Sequence, residues 1–316
     1  MNVIFVMNAP FPYGSAFSSR ALNLTKLLCD CGCHVHIVAL PSKTNSSFDG
    51  LMGYSYSIDY VNAPQSILTL CGIGTSKPFI GAAQKYIRDN HVDLIFSSSI
   101  LYVADKLLNT AKELMVPYVI EQCEWYDKSI FKFGRFNPYY LEHIRRIRWK
   151  NKKLSGVVAI SRLLSQHYLA QGLPTIRIPT ILDVIGTNCR CDVAIQDKYH
   201  IVFAGSLGKG KEKLEPILRA LREINKDEVR ILFDIYGPNE SEVLQNIGRD
   251  NELWNSIRLC INVHGPISQD KVQDVLRNSD FSIFTRPLRR SSNAGFPTKL
   301  AESMAVGTPV ITNDTG

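Results

Sequence analysis

A cation and a carboxylate three residues apart, Lys299 and Glu302, follow the loop Ser291-Ser292-Asn293-Ala294-Gly295-Phe296-Pro297. At that spacing two side chains share one face of a helix. The free N–H groups at a helix start attract anions. Pro297 suits the first helical position, where its missing N–H is an orphan in any case. Together these groups can hold a phosphate and a sugar diol at once, because a carboxylate accepts hydrogen bonds from two neighbouring hydroxyls. The same residues also fit an ordinary helix–strand unit, with Glu302 as a surface acid. Gly307 stops the helix, and Pro309–Thr312 reads as a buried strand.

Three other segments carry candidate chemistry. Ile201–Ala204 runs into Gly205-Ser206-Leu207-Gly208-Lys209-Gly210-Lys211, and a strand feeding a glycine-rich turn can cradle phosphate with its N–H groups. Lys209 to Lys213 equally fit a solvated helix start. Near the N-terminus, Gly14 in Pro10-Phe11-Pro12-Tyr13-Gly14 permits close backbone approach to a ligand. Ser18 fits an N-cap there, and Arg20 is either a phosphate or acceptor contact or a surface charge. Glu121 and Glu124 follow the strand Tyr118–Ile120. Carboxylates at the C-terminal end of such a strand point to the crevice of a doubly wound sheet; otherwise they are solvated acids beside the packing residues Trp125 and Tyr126.

Alternating strand and helix patterns position these residues. Short apolar runs at Val3–Met7, Val35–Leu40, Leu94–Phe96, Tyr118–Ile120 and Val157–Ile160 read as buried parallel strands. Helical spacing covers Ser18–Leu28 and Leu101–Leu114. A second series places strands at Ile201–Ala204, Ile231–Tyr236, Leu259–Val263, Phe281–Phe284 and Pro309–Thr312. Its helices fall near Leu214–Ile224, Glu240–Ile247, Gln269–Arg277 and Thr298–Ala305. The pattern predicts an α/β protein with two Rossmann-like doubly wound domains facing a cleft. The boundaries read 1–180, a linker over 181–200, and 201–316. The chain stops after a strand that no helix covers, so the second domain reads as incomplete.

The chain has 316 residues, 45% apolar, enough for two real cores. No run approaches the length of a membrane-spanning helix, and the N-terminus reads as a first strand rather than a signal peptide. A cytoplasmic protein follows, in which the eight cysteines are free thiols rather than disulfides or metal ligands. The net charge of +7 fits an anionic membrane surface or a negatively charged substrate; no nucleic-acid motif accompanies it. The basic stretch His143–Lys153, with Phe131, Phe133, Phe136, Tyr139 and Tyr140 upstream, fits either docking on anionic lipid or a surface helix with core aromatics.

Residues Gly295, Phe296, Glu302, Met304, Ala305, Gly307, Pro309 and Val310 resemble the donor-site signature of the GT-B-fold retaining glycosyltransferases of family 4. The form is similar to a Phe-Pro-Thr-Lys variant of bacterial capsule and surface-polysaccharide enzymes. Two positions depart: Ala294 replaces the first glutamate of the signature, and Pro297 its second glycine. The segment from Gly205 to Lys211 resembles the family's Gly-Arg-Leu…Lys-Gly, whose Arg and Lys bind the donor diphosphate. Lys211 stands at the Lys position with Lys209 beside it, Ser206 at the Arg position, and Arg286, Arg289 and Arg290 are available as replacements. Ala159-Ile160-Ser161 and Ile178-Pro179-Thr180-Ile181-Leu182-Asp183 are similar to further family segments near the linker.

The resemblance implies sugar transfer, with retention, from a nucleotide-diphosphate sugar to a glycan or lipid-linked acceptor, without cofactor or bound metal. It gives Glu302 the ribose hydroxyls, and Gly295, Phe296 and Lys299 the diphosphate. Relatives have a histidine near Glu121 and Glu124; here those acids take the acceptor side, as base or hydroxyl orienter. The fold also hosts nucleotide-sugar epimerases. Ala294 and Ser206 further fit a degenerate transferase that binds a nucleotide sugar beside an active subunit.

Overall fold

A computed structural model describes residues 1–42, 50–62, 76–98, 103–182, 184, 197–208 and 210–315. Lys209, Asp183, Cys71, Cys189 and Cys191 lie outside the described residues. The chain divides into two compact units, Met1–Ile181 with Asn293–Phe296, and Leu182–Ser292 with Pro297–Thr315. Asn293–Phe296 thus groups with the first unit rather than with 201–316.

Among the described residues the first unit holds seven strands: β1 (Asn2–Phe11), β2 (His34–Pro41), β3 (Tyr56–Tyr60), β4 (Leu94–Ser98), β5 (Tyr118–Gln122), β6 (Gly156–Ala159) and β7 (Thr175–Arg177). Their order is β3-β2-β1-β4-β5-β6-β7, and every pairing is parallel. Side chains on a strand alternate between sheet faces. Accordingly Ile4 and Val6 of β1 enter one apolar cluster, and Val3, Phe5 and Met7 enter another. Both faces are covered, which is why β1 reads as an unbroken apolar run. Burying each such side chain stabilises the fold by roughly 1.5–3 kcal/mol.

The second unit repeats the plan with β8 (Tyr199–Ala204), β9 (Ile231–Tyr236), β10 (Ile261–Gly265), β11 (Phe281–Phe284) and β12 (Val310–Thr312). The order is β10-β9-β8-β11-β12, again parallel. Ile201 and Phe203 face one cluster and Val202 and Ala204 the other. Chain direction across each sheet reverses beside its first strand, between β1 and β4 and between β8 and β11. Ligand crevices of doubly wound sheets lie at the strand C-termini at such a reversal.

Several local expectations need correction. The N-cap of the first helix, Ala16–Asp30, is Ser15, whose hydroxyl accepts from the Ser18 N–H at 3.0 Å. Ser18 lies inside the helix, one turn too late for the cap. Pro297 is the N-cap of helix Thr298–Ala305, at ψ 116°, and not its first helical residue. Residues Arg258–Cys260 form a short 3-10 turn before β10, so Leu259 is 92% exposed rather than in a strand. β12 is an edge strand and Ile311 is exposed. The edge strands β3 and β7 and the helix Ser76–Asp89 escaped the sequence reading. Edge strands are half-exposed, so a search for continuous apolar runs does not find them.

Candidate functional site

The reversal point of the second sheet collects most of the charged candidates. Gly205 and Ser206 leave β8 there, and Thr285 and Arg286 leave β11. The two loops are tied by the Lys213 N–H donating to the Thr285 carbonyl at 2.9 Å and by Arg289 Nη2 donating to the Gly210 carbonyl at 2.6 Å. Asn313 clamps the Arg286 backbone: its Oδ1 accepts from the N–H at 2.9 Å and its Nδ2 donates to the carbonyl at 2.8 Å. The helix Thr298–Ala305 is fixed on the sheet by Ser303, whose buried hydroxyl bonds that of Ser282 on β11 at 2.7 Å. Lys299 and Glu302 consequently line one cavity with Val202, Ala204, Ser282 and Ser303.

Glycine makes this packing possible. Gly205 has φ +132°, and a Cβ there would stand 2.5 Å from Lys299 Cε. Gly237, at φ +110° after β9, approaches Gly205 so closely that its Cβ would meet the Gly205 carbonyl oxygen at 2.4 Å. At Gly237 the obstacle is main chain, so only glycine tolerates both the conformation and the contact there. Through the gap, Lys299 Nζ reaches over the Phe203 ring, 4.3 Å from its centroid. The Ser206 carbonyl lies 3.5 Å from the same nitrogen.

Glu212 joins the set, and sequence reasoning missed it. Its Oε1 lies 3.3 Å from Lys299 Nζ and 3.3 Å from Arg286 Nε, with its own side chain 4% exposed. The available signal was a single acid inside the run Lys209 to Lys213. Burial holds the Lys299 ammonium below its ordinary pKa and Arg286 adds to that, while Glu212 and Glu302 oppose it. Lys211 is exposed, and its stem packs over Gly208.

The second unit thus assembles Lys299 and Arg286 around Glu212, with Glu302 sharing the cavity of Lys299. Gly295 and Phe296 belong to the first unit, where Phe296 packs on the apolar cluster and Ala294 is fully buried in it. A glutamate at 294 would carry an unpaired charge into that cluster, at a cost that favours the alanine.

In the first unit, Gly14 has φ +127° and lies against Pro10. Arg20 is neither a surface charge nor an open contact: it is 3% exposed and pairs with Glu121 through Nε. Its Nη atoms donate to the Pro179 and Ile178 carbonyls, the latter at 2.6 Å. Burial raises the Glu121 carboxyl above its ordinary pKa despite Arg20. Glu121, expected as an open base, is therefore enclosed as an ion-pair partner. Glu124 is half-buried in the loop after β5. His143 orders that loop, since its Nε2 accepts from the Tyr126 N–H at 3.0 Å.

The basic stretch splits between interior and surface. His143 and Arg146 are buried, whereas Arg145, Arg148, Lys152 and Lys153 are exposed. Upstream, Phe131 packs among Tyr126, Tyr139 and Tyr140. Phe133 and Phe136 are 73% and 72% exposed. Lys132 and Arg135 stand over those two rings. Among the described residues no helix is long and apolar enough to cross a membrane.

Comparison with known proteins matches residues 198–316 to the family Glycosyl transferases group 1. No curated protein matches the chain by sequence. Solved structures share the fold over the whole chain. Sucrose-phosphate synthase of Thermosynechococcus elongatus is 15% identical with a TM-score of 0.66, covering 100% of this chain and 82% of that one. The lipopolysaccharide outer core galactosyltransferase WaaB, in its apo form, is 14% identical with a TM-score of 0.61, covering 100% and 81%. Anabaena HepE in complex with UDP and glucose is 13% identical with a TM-score of 0.61, covering 100% and 81%. The architecture is thus the GT-B fold of these two-domain enzymes, and the match to the glycosyl transferase family lies over residues 198–316.

Proposed function

We propose that this chain, with its glycosyltransferase domain, moves a sugar from a nucleotide-diphosphate sugar to a glycan or lipid-linked acceptor in surface-polysaccharide synthesis, with retention. The observation that carries the reading is the gathering of Lys299, Arg286 and Glu302 at the reversal point of the second sheet. Glu302 takes the two ribose hydroxyls. Lys299 and Arg286, with Lys211 and backbone N–H groups, meet the diphosphate. The diphosphate is the leaving group, so preorganised cations stabilise the negative charge that develops on it. Arg286 substitutes for the cation that Ser206 lacks. The UDP held by HepE supports a nucleotide donor on this fold.

In retention by a front-face path, the departing phosphate oxygen accepts the acceptor hydroxyl proton on the face where the new bond forms. No protein nucleophile is then needed. Glu124, on the ordered loop after β5, orients the acceptor hydroxyl, while Glu121 is engaged by Arg20.

Thermal unfolding with UDP and UDP-sugars tests the donor site. A ligand at about 100 times its Kd raises stability by about 2.7 kcal/mol. Wild type should show such a shift and Glu302→Ala should lose it; an unchanged shift in E302A removes the ribose assignment. Release of free sugar from the donor separates an enzyme from a silent binder.

The proposed cellular place is the cytoplasmic face of an anionic membrane. Phe133 and Phe136, each flanked by a cation, match the boundary between headgroups and acyl chains. Burying each ring is worth roughly 1.5–3 kcal/mol. Replacing both by serine should weaken binding to phosphatidylglycerol vesicles at least about tenfold. Equal binding by the variant would remove the loop from the contact.

A further inference from the structure

We infer that Glu212 is the positioning residue of the donor site, one buried carboxylate that aims both Lys299 and Arg286 at the diphosphate. The inference rests on the donor reading above and adds a residue that the signature does not contain.

Three observations converge on Glu212. Its Oε1 is shared: Lys299 Nζ and Arg286 Nε each lie 3.3 Å from it. The two cations come from different elements, the helix Thr298–Ala305 and the loop after β11. Without a common acceptor, two positive groups this close would repel each other and splay. Next, Glu212 Oε2 is buried and has no hydrogen-bond partner among the described residues. An orphaned buried carboxylate oxygen is costly; Glu121 Oε2 in the first unit is orphaned too, so it is the two cations on Oε1 that set Glu212 apart. Finally, the Arg286 guanidinium makes no further hydrogen bond among the described residues, and Lys299 has only a weak one to the Ser206 carbonyl. Two cations share one acid, so donor capacity is left over for an anion at the mouth of the sheet.

Neighbouring groups define what the acid does. Facing Lys299 are Glu212, Arg286 and Glu302, with Phe203 beneath it. Burial and Arg286 disfavour the charged ammonium, and Glu212 is the largest influence that favours it. Lys299 must be protonated to bind phosphate. Removing the charge of Glu212 therefore lets Lys299 lose its proton at a lower pH. A role in folding alone would leave that midpoint where it is.

The test is Glu212→Gln, which retains shape and removes charge. UDP binding by calorimetry, from pH 6 to 10, should fall on the alkaline side for both proteins. In E212Q the midpoint should lie about one pH unit lower, a tenfold change in proton affinity. The Lys299 ammonium, followed by NMR in unliganded protein, should show the same displacement. Should E212Q fail to fold, Glu212→Asp, with its charge drawn back by one methylene, should show a smaller displacement in the same direction. Wild-type binding with an unmoved midpoint in the variant overturns the role of Glu212 and leaves the donor reading intact. Absence of UDP or other nucleotide binding by wild type overturns the donor reading and the role of Glu212 with it.

Discussion

Two buried carboxylates, one in each unit, use cations in opposite proportions. Glu121 faces one arginine, and that arginine is spent on three acceptors: the carboxylate and the carbonyls of Ile178 and Pro179. Glu212 faces two cations that share one of its oxygens. The first arrangement is closed on the cation's side, because each guanidinium nitrogen of Arg20 has a partner within the fold. The second is open, because positive groups outnumber the acid that holds them. Burial and residue type are nearly the same in both; the ratio of donors to acceptors distinguishes the brace from the proposed donor site.

The comparison breaks most visibly at the closed pair. Arg20→Met leaves Glu121 buried without a partner, and a broken buried pair costs about 3–5 kcal/mol. Chemical denaturation of R20M should show a loss of that size. Its pH dependence has a definite sign. Burial already raises the folded pKa of Glu121 above the unfolded carboxyl value of about 4.3, and loss of Arg20 raises it further. Stability then falls as pH rises from the unfolded value through the raised folded one. The deficit of R20M should therefore be smaller near pH 5 than near pH 8. An equal deficit at both would show that Arg20 matters through packing rather than charge.

A smaller effect should appear at the open site. Gly205→Ala places a methyl group 2.5 Å from Lys299 Cε, at a φ of +132°. The flexible lysine can yield, so the fold should lose only about 1–3 kcal/mol from the strained backbone. The displaced ammonium should weaken UDP binding about tenfold, or ~1.4 kcal/mol. Binding of wild-type strength in G205A would place Lys299 outside the ligand contact and narrow the site to Arg286 and Glu302.

The strand cores, the helix Thr298–Ala305 and the pairing of Lys299 with Glu302 were legible because each follows from a local period or spacing. β1 shows this well: burial on both faces writes a continuous apolar run into the sequence. The enclosure of Arg20 was not legible, since its partner is 101 residues away and nothing near Arg20 in sequence marks it as buried. Glu212 was hidden for a related reason. Among flanking lysines it reads as one more charge on a solvated turn, and its burial depends on Arg286 and Lys299 arriving from distant segments. Gly295 and Phe296 were read from the family resemblance as main-chain donors to the diphosphate; that the chain changes unit between Phe296 and Pro297 was not legible, since no local pattern marks it.

The contact between Gly205 and Gly237 has one more consequence. Where those strand ends meet, both chains pass as bare main chain: a Cβ at Gly237 would collide with the Gly205 carbonyl, and one at Gly205 would press on the Lys299 stem. Exchange is closed at Gly237, where the obstacle is main chain that cannot yield. On the proposed donor reading, selectivity for a different donor is written into the rim, at positions such as Ser206, Lys211 and Arg286, while the base stays constant.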